Sequence, residues 1–405
     1  MSRIDTEKTP SQKLTVRVQT GGVEIVGQLA EDWRRLCDAD SDGEAFYRPE
    51  WIEAHLRAFA PQATVIVISA WSADRLRGVL PLMRERAFLS GMPVVRLLVP
   101  AGLYSCRAGL VCRQSQKEEA EEILRALWQA VKELPGWNVL DVSFVLEGNG
   151  LDKISIIAAA EGFPVARKRM MQSLYLPMAA SSPGQPPWLA GTRPKFRANL
   201  RRSRRQLEEQ GTLVLKHCST ADPEALGRFY DLEASGWKGE QGTAIKCDPR
   251  TRQFYDAVAQ AAAQYGYLSL DFLELNGKSI AAHFGLNLGG RYYLAKAGYD
   301  ETYHRQGPGQ LLTHEVLSES GARGLSELDF VGPATWDESR WASARRTHFR
   351  IFIFRKSLYG RLLHAIRISA HDAVKSLLKR GPDENTPLEL LGKPQGADNE
   401  SGAGS

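Results

Sequence analysis

Three β-rich runs stand in line in the second half of the chain: YLSLDFLEL, then SIAAHFGLNL, then RYYLAKAGY. Asn276-Gly277 joins the first to the second, and Gly289-Gly290 joins the second to the third. Such dipeptides supply the positive φ that a tight hairpin turn demands, so the three runs are expected to pair as an antiparallel meander. The stretch YHRQGPGQLL (303–312) follows, then a helical pattern to about Ala322, then strands at SELDFVG and THFRIFIF. Ahead of the meander, a helix is expected from Pro194 to Gln210, a strand at TLVLKHCS, and helices near 223–238 and 249–264.

A weaker copy of this order occupies the first half. TVIVISAW and RGVLPLMRE flank Ser-Ala-Asp, PVVRLLVP follows, then a helix at 117–133 and a strand at NVLDVSFV. Helix then LDVSF in one half matches helix then LDFVG in the other, which predicts an internal duplication with two related α/β units. The copy is incomplete, because no Gly-x-Gly precedes the helix between Pro100 and Lys117.

At 405 residues the chain is long enough for two such units. The Pro/Gly/Ser cluster SSPGQPPWLAGT (181–192) reads as the linker. The expected division is a disordered tail at 1–12, units at 13–180 and 193–358, a basic helix at 359–380 and a disordered acidic tail at 381–405. Leu362, Leu363, Ile366, Val374, Leu377 and Leu378 make that last helix amphipathic; it either packs on the fold or contacts a membrane surface.

No apolar run approaches the roughly 20 residues needed to span a bilayer. The opening residues also lack the apolar core of a secretory signal. Five scattered cysteines without a CxxC suggest neither a disulfide framework nor a zinc site, so no metal is expected and a cytoplasmic setting is. The net charge is +5, yet residues 381–405 hold five acids against one lysine. What remains is more basic still and favours anionic ligands.

Chemistry concentrates in YHRQGPGQLL. His304, Gly307 and Gly309 fall at the spacing Z-x-x-G-x-G directly before a helix. Glycines there let successive N–H groups converge, and the helix adds its positive end, so a diphosphate fits. Pro308 removes one donor but suits the first turn of a helix.

With the meander before it and the strands after it, this loop resembles the GNAT acyltransferase superfamily, whose phosphate loop is Gln/Arg-x-x-Gly-x-Gly/Ala. "IAAHFG" from Ile280, "GYDETYHRQGPGQLL" from Gly298 and "LDFVG" from Leu328 resemble more closely the tandem-GNAT family of CelD/BcsL-like proteins, over most of 193–355. Members typically carry Ser-Pro-Gly where this chain has Gly307-Pro308-Gly309, and a Tyr-Lys pair after the Asp-Phe strand. Here GPATWDESRW (332–341) places Trp336, Asp337 and Arg340 instead. The Fem-type peptidyltransferases, which use aminoacyl-tRNA, share the architecture.

The resemblance implies a mixed α/β fold of two tandem GNAT-like domains, each a central sheet flanked by helices, with the second bearing the transfer site. It implies acyl-coenzyme A as co-substrate, an amino or hydroxyl acceptor, and a bacterial envelope or exopolysaccharide context that includes cellulose. RYYLAKAGY and SELDFVG become adjacent parallel strands that part, so that a backbone N–H of the first polarises the thioester. His304, Arg305, Gln306, Gly307, Gly309 and Gln310 are then the donor-binding residues.

His283 is a candidate base, or else a sheet histidine satisfied by a neighbour. Tyr303 and His304, at the loop mouth, either bind phosphate or serve as proton donors, and are binding-site candidates first. Asp329 either orients the acceptor or makes ordinary strand-end hydrogen bonds. Glu233 and Trp237, where a helix meets a glycine-containing loop, wall the acceptor pocket or lie in the core.

Seven of the thirteen residues from Arg193 to Arg205 are basic and none is acidic, while Phe196, Leu200, Ser203 and Leu207 form one packing stripe. Arg193, Arg197, Arg201, Arg204 and Arg205 share a flank that either contacts a polyanion such as tRNA, anionic lipid or saccharide, or is solvated. Two other readings stay open beside acyl-coenzyme A: an aminoacyl-tRNA-dependent transferase, and a non-catalytic polyanion-binding protein of the same fold.

Overall fold

The structure, a computed structural model, describes residues 14–39, 43–113, 117–178, 192–341 and 344–367. The expected tail at 1–12, the linker up to residue 191 and everything past 367 lie outside the described residues. Residues 358–367 are helical, and Leu363 is buried with Phe352 and Phe354.

The first half runs β1 (Leu14–Gly21), α1 (Glu24–Ala39), α2 (Pro49–Phe59), β2 (Thr64–Ser72), β3 (Arg75–Leu89), β4 (Met92–Leu98), β5 (Val111–Cys112), α3 (Lys117–Glu133), β6 (Val139–Leu146), α4 (Gly150–Ala160) and β7 (Val165–Pro177). The second half runs α5 (Pro194–Glu208), β8 (Leu213–Cys218), α6 (Pro223–Glu233), α7 (Trp237–Glu240), α8 (Pro249–Gln264), β9 (Leu268–Leu275), β10 (Lys278–Leu288), β11 (Arg291–Tyr299), α9 (Pro308–Ser318), β12 (Glu327–Asp329) and β13 (Ala344–Phe354).

Among the described residues these strands form one mixed sheet in the order β1-β2-β3-β4-β6-β13-β7-β12-β11-β10-β9-β8, with β5 beside β3. Read from either end the pattern is the same. Four strands pair antiparallel, the fifth (β6 or β12) is parallel to the fourth, and an antiparallel strand follows. That last strand is exchanged: β13 of the second half lies against β6, and β7 of the first half lies against β12. The duplication legible in sequence is therefore joined at its middle by β13 and β7 pairing with each other.

In the second half α6 and α8 cover one face of the sheet, where Phe229 and Tyr255 meet the Phe284 ring at 5.6 and 5.3 Å. The other face carries α5 and α9, whose Phe196, Leu200, Leu311, Leu312 and Val316 bury a separate core. Because β9 is buried on both faces, its carboxylates have to be paired. Asp271 accepts from Arg323 Nη1 at 2.7 Å and Tyr292 Oη at 2.7 Å, and Glu274 meets Lys216 and Arg228. Aromatic packing of α2 on α8, with Trp51 5.0 Å from Phe254, ties the halves together.

Candidate functional site

The meander is irregular where it matters. Opposite β10, Phe284 pairs with Lys296 but Gly285 pairs with Leu294, so Ala295 is an extra residue on β11. Bulges re-aim side chains and interrupt a ladder. On its other edge β11 runs parallel to β12 only from Arg291 to Tyr293. β12 ends there, at Asp329, which leaves a gap in the pairing along the bulged segment among the described residues.

Over that gap stands the start of α9. Asp300 caps a 3-10 turn at Glu301–Gln306 by accepting the Thr302 N–H at 3.0 Å. Gly307 then reverses the chain at φ 58°, a left-handed conformation that favours glycine, and Pro308 opens α9 at its first turn. The Gln310 and Leu311 N–H groups return to the Gly307 carbonyl, whereas the Gly309 N–H meets no acceptor among the described residues. A Cβ added at Gly309 would find only Tyr299 Cδ1, at 3.8 Å, so this position is open. The proline removes one donor from the cradle and leaves this one.

A cavity of about 430 Å³ extends from the loop to the sheet. His304 through Gln310 form one wall, and Phe196, Asn199, Arg202 and Ser203 of α5 form a second. Leu294, Ala297 and Tyr299 of β11, with His283 of β10, make the floor, and Thr335, Asp337, Glu338, Arg340 and Trp341 close the side. All six residues expected to hold the donor thus share one cavity. His304 is oriented by its Nδ1, 3.1 Å from the Glu301 carbonyl, and Gln310 Oε1 accepts from the Trp341 indole.

His283 is 2% exposed, and its Nδ1 has no hydrogen-bond partner among the described residues. Burial holds its pKa down at about 4, so the ring is neutral at physiological pH and available as an acceptor. Glu338 is shifted the opposite way, pushed up to about 7 by burial, with Asp337 adding to it. Its Oε2 accepts the Thr335 N–H at 3.1 Å and its own N–H donates to Thr335 Oγ1 at 3.3 Å, a reciprocal capping box. A carboxyl that titrates near neutrality inside a cavity can donate or accept a proton. Sequence reading overlooked Glu338, Asn199, Arg202 and Tyr299; the Thr335-x-x-Glu338 spacing marks only a helix start.

Other expected residues stand elsewhere. Asp329 is not in the cavity: it accepts two bonds from Arg107 Nη2 at 2.9 and 2.8 Å, one from Arg346 at 2.9 Å and one from the Val331 N–H at 2.7 Å. A carboxylate so engaged in a buried clamp between the halves has no lone pair left for an acceptor. Tyr303 packs against the α5/α9 core instead of lining the cavity, because the 3-10 turn faces it inward; Tyr299 occupies the mouth.

Arg197, Arg201, Arg204 and Arg205 do not line the cavity either. Arg204 pairs with Glu208 and Glu315, and Arg205 with Glu209, which neutralises these two positions of α5. The basic residues at and along α5 that line these cavities are Arg193, Lys195 and Arg202.

Glu233 lies on the opposite face of β11. Gly298 allows the end of α6 to approach so closely that a Cβ there would be 2.4 Å from Glu233 N. Glu233 Oε2 accepts the Ile245 N–H at 2.9 Å, and Oε1 is 3.4 Å from Lys238 Nζ. Lys296, next to the bulge, points to the same side, with its Nζ 5.7 Å from the Tyr104 ring centroid. Burial, then Lys238, lowers its pKa. The Trp237 side chain lies outside what the structure describes.

Among the described residues no group of His, Cys, Asp and Glu could hold a metal, and no helix is long and apolar enough to cross a membrane.

Residues 194–341 match a family model described as an acetyltransferase (GNAT) domain. The chain therefore carries a GNAT-superfamily acyltransferase domain, and the loop, the bulge and the cavity all fall inside it. No curated protein matches the sequence. Among solved structures, FemX aligns with a TM-score of 0.56 at 12% identity, over 82% of this chain and 98% of that one. The C-terminal domain (DUF2156) of a putative lysylphosphatidylglycerol synthetase from Agrobacterium fabrum gives 0.50 at 9%, over 86% and 96%. At such identities the likeness is one of fold: a mixed α/β chain built on a single long mixed sheet.

Proposed function

We propose that the chain moves an acyl group from acyl-coenzyme A to an amino or hydroxyl acceptor, with the unit at 193–358 bearing the site. The observation that carries this reading is the cavity that joins the loop at the start of α9 to His283, beside the β11 bulge, whose Nδ1 has no hydrogen-bond partner among the described residues. The diphosphate of the donor rests on the Gly309 N–H and the side chains of His304, Arg305 and Gln306. Its acyl arm enters the gap where β11 leaves β12, and a backbone N–H of the bulged segment polarises the thioester carbonyl.

The acceptor nitrogen or oxygen attacks that carbonyl, the new bond forms and the C–S bond breaks. Neutral His283 takes the proton lost by the acceptor, and the Tyr299 hydroxyl supplies one to the departing thiolate. Glu233, Lys238 and Lys296 stand across the sheet, where they form the polar wall an acceptor meets. On the CelD/BcsL-like resemblance alone, that acceptor belongs to envelope or exopolysaccharide chemistry.

Thermal stabilisation by acetyl-coenzyme A, longer acyl-coenzymes A and inorganic diphosphate tests the reading, since a ligand of the native state raises its apparent stability. Acyl-coenzyme A is expected to raise the midpoint more than diphosphate does. A melting curve unmoved by every acyl-coenzyme A rejects the reading. Aminoacyl-tRNA as donor is the second reading, favoured by Arg193, Lys195 and Arg202 at the cavity mouths. It requires tight, salt-sensitive binding of charged tRNA.

A further inference from the structure

Beside the donor cavity lies a second one of about 360 Å³, and the two share Phe196, Asn199 and Arg340. Arg193 and Lys195, at the start of α5, line it from one side; Trp336 and Ser339, from the segment after β12, line it from the other. The Trp336 ring is 74% exposed. Arg340 is held between two rings, its guanidinium carbon 4.0 Å from the Phe196 centroid and 5.0 Å from that of Trp336. That guanidinium fixes the inner side of the indole and leaves the remainder in solvent.

These two cations, Arg193 and Lys195, differ from Arg204 and Arg205 of the same helix. Arg204 and Arg205 are paired with glutamates, whereas among the described residues neither Arg193 nor Lys195 has an acid within ion-pair distance, and both are exposed. The pocket therefore presents an aromatic surface and unneutralised positive charge next to a loop suited to a diphosphate. An indole face accepts any nucleobase by stacking, and guanidinium and ammonium groups hold a phosphomonoester by charge-assisted hydrogen bonds.

A donor whose diphosphate sits on residues 304–310 runs one way to His283. Its other end emerges at the walls the two cavities share. From this we infer that the second pocket binds the nucleotide end of the donor, the base stacked on Trp336 and a ribose phosphate held by Arg193 and Lys195. The inference rests on the acyl-coenzyme A reading and adds to it the part of the donor that this chain selects.

Coenzyme A and dephospho-coenzyme A, which differ only in the ribose phosphate, are the probes, with calorimetric titration at low salt as the measurement. Coenzyme A is expected to bind about tenfold more tightly. The double variant Arg193→Gln/Lys195→Gln is expected to abolish that difference and leave the affinity for dephospho-coenzyme A unchanged. Trp336→Ala should weaken both. All three positions are exposed, so an unchanged melting midpoint shows that the variants fold.

Equal affinities in the native protein, or a preference that survives in the double variant, overturn the inference. If neither compound binds, the acyl-coenzyme A reading falls and takes this one with it; binding without discrimination removes only this one. Tighter binding of an uncharged tRNA than of coenzyme A, lost in the same double variant, also overturns it and assigns the pocket to a nucleic-acid donor.

Discussion

Arg107 and Asp329 lie 222 positions apart, and the guanidinium of one donates to both carboxylate oxygens of the other, at 2.9 and 2.8 Å, with neither side chain more than 1% exposed. This contact joins the loop after β4 in the first half to the end of β12 in the second. It also stands where the β11–β12 pairing ends, since Asp329 is the partner of Tyr293.

Removing one partner leaves a buried charge uncompensated. Arg107→Met or Asp329→Asn is expected to cost about 3–5 kcal/mol in urea unfolding, and the double replacement less than the sum of the two. Strict additivity would show that the pair is not coupled.

At the loop, Gly307 and Gly309 are expected to fail differently. Gly307→Ala places a Cβ at φ 58° and should lower stability by ~1 kcal/mol. Gly309→Val meets no strain of that kind but fills the concavity, so donor affinity should be lost while the unfolding midpoint barely moves. A Gly309→Val protein that retains full affinity would remove the loop from the site.

Acid is expected to destabilise the fold through its buried histidines. Burial holds His55 and His283 at about 4 and His348 at about 3, each below the ordinary 6.5. As pH falls from about 6.5 to about 4, the unfolded chain takes up protons that the folded chain refuses, so stability declines over that window. His283→Gln should make the decline shallower by up to one proton. An unchanged slope would mean that His283 is already charged in the folded state.

Glu338 acts with the opposite sign. Its carboxyl, at about 7, is neutral below that pH and anionic above it, inside a cavity that receives a diphosphate. Donor affinity should therefore weaken as pH rises through about 7, and Glu338→Gln should flatten the profile. Titrations on either side of neutrality decide this, and an unaltered pH profile in the variant would clear Glu338 of the role.

Local signals carried well where the physics is local. Asn276-Gly277 and Gly289-Gly290 place the meander because only residues at ease with positive φ close such turns, and both dipeptides stand at the hairpins. The left-handed Gly307 and the first-turn Pro308 follow from the same reasoning. The stripe Phe196, Leu200 and Leu207 is buried on α5 as its spacing requires. By contrast, the pattern reading left 14–60 unassigned, although α1 and α2 lie there.

What the sequence determined by itself, then, was the order of the elements from α5 to β13, their weaker copy in the first half and the loop that opens α9. Tertiary structure alone decided which strand neighbours which and what each polar side chain faces. The exchange of β7 and β13, the Asp329 clamp on Arg107 and the pairing of Arg204 with Glu315 all join residues far apart in the chain. Turns and caps are set by interactions within a few residues and can be read there. Buried charge is set by whatever long-range packing brings beside it, and for that reason Asp329 became structural while Glu338 and Arg193 came to the cavities.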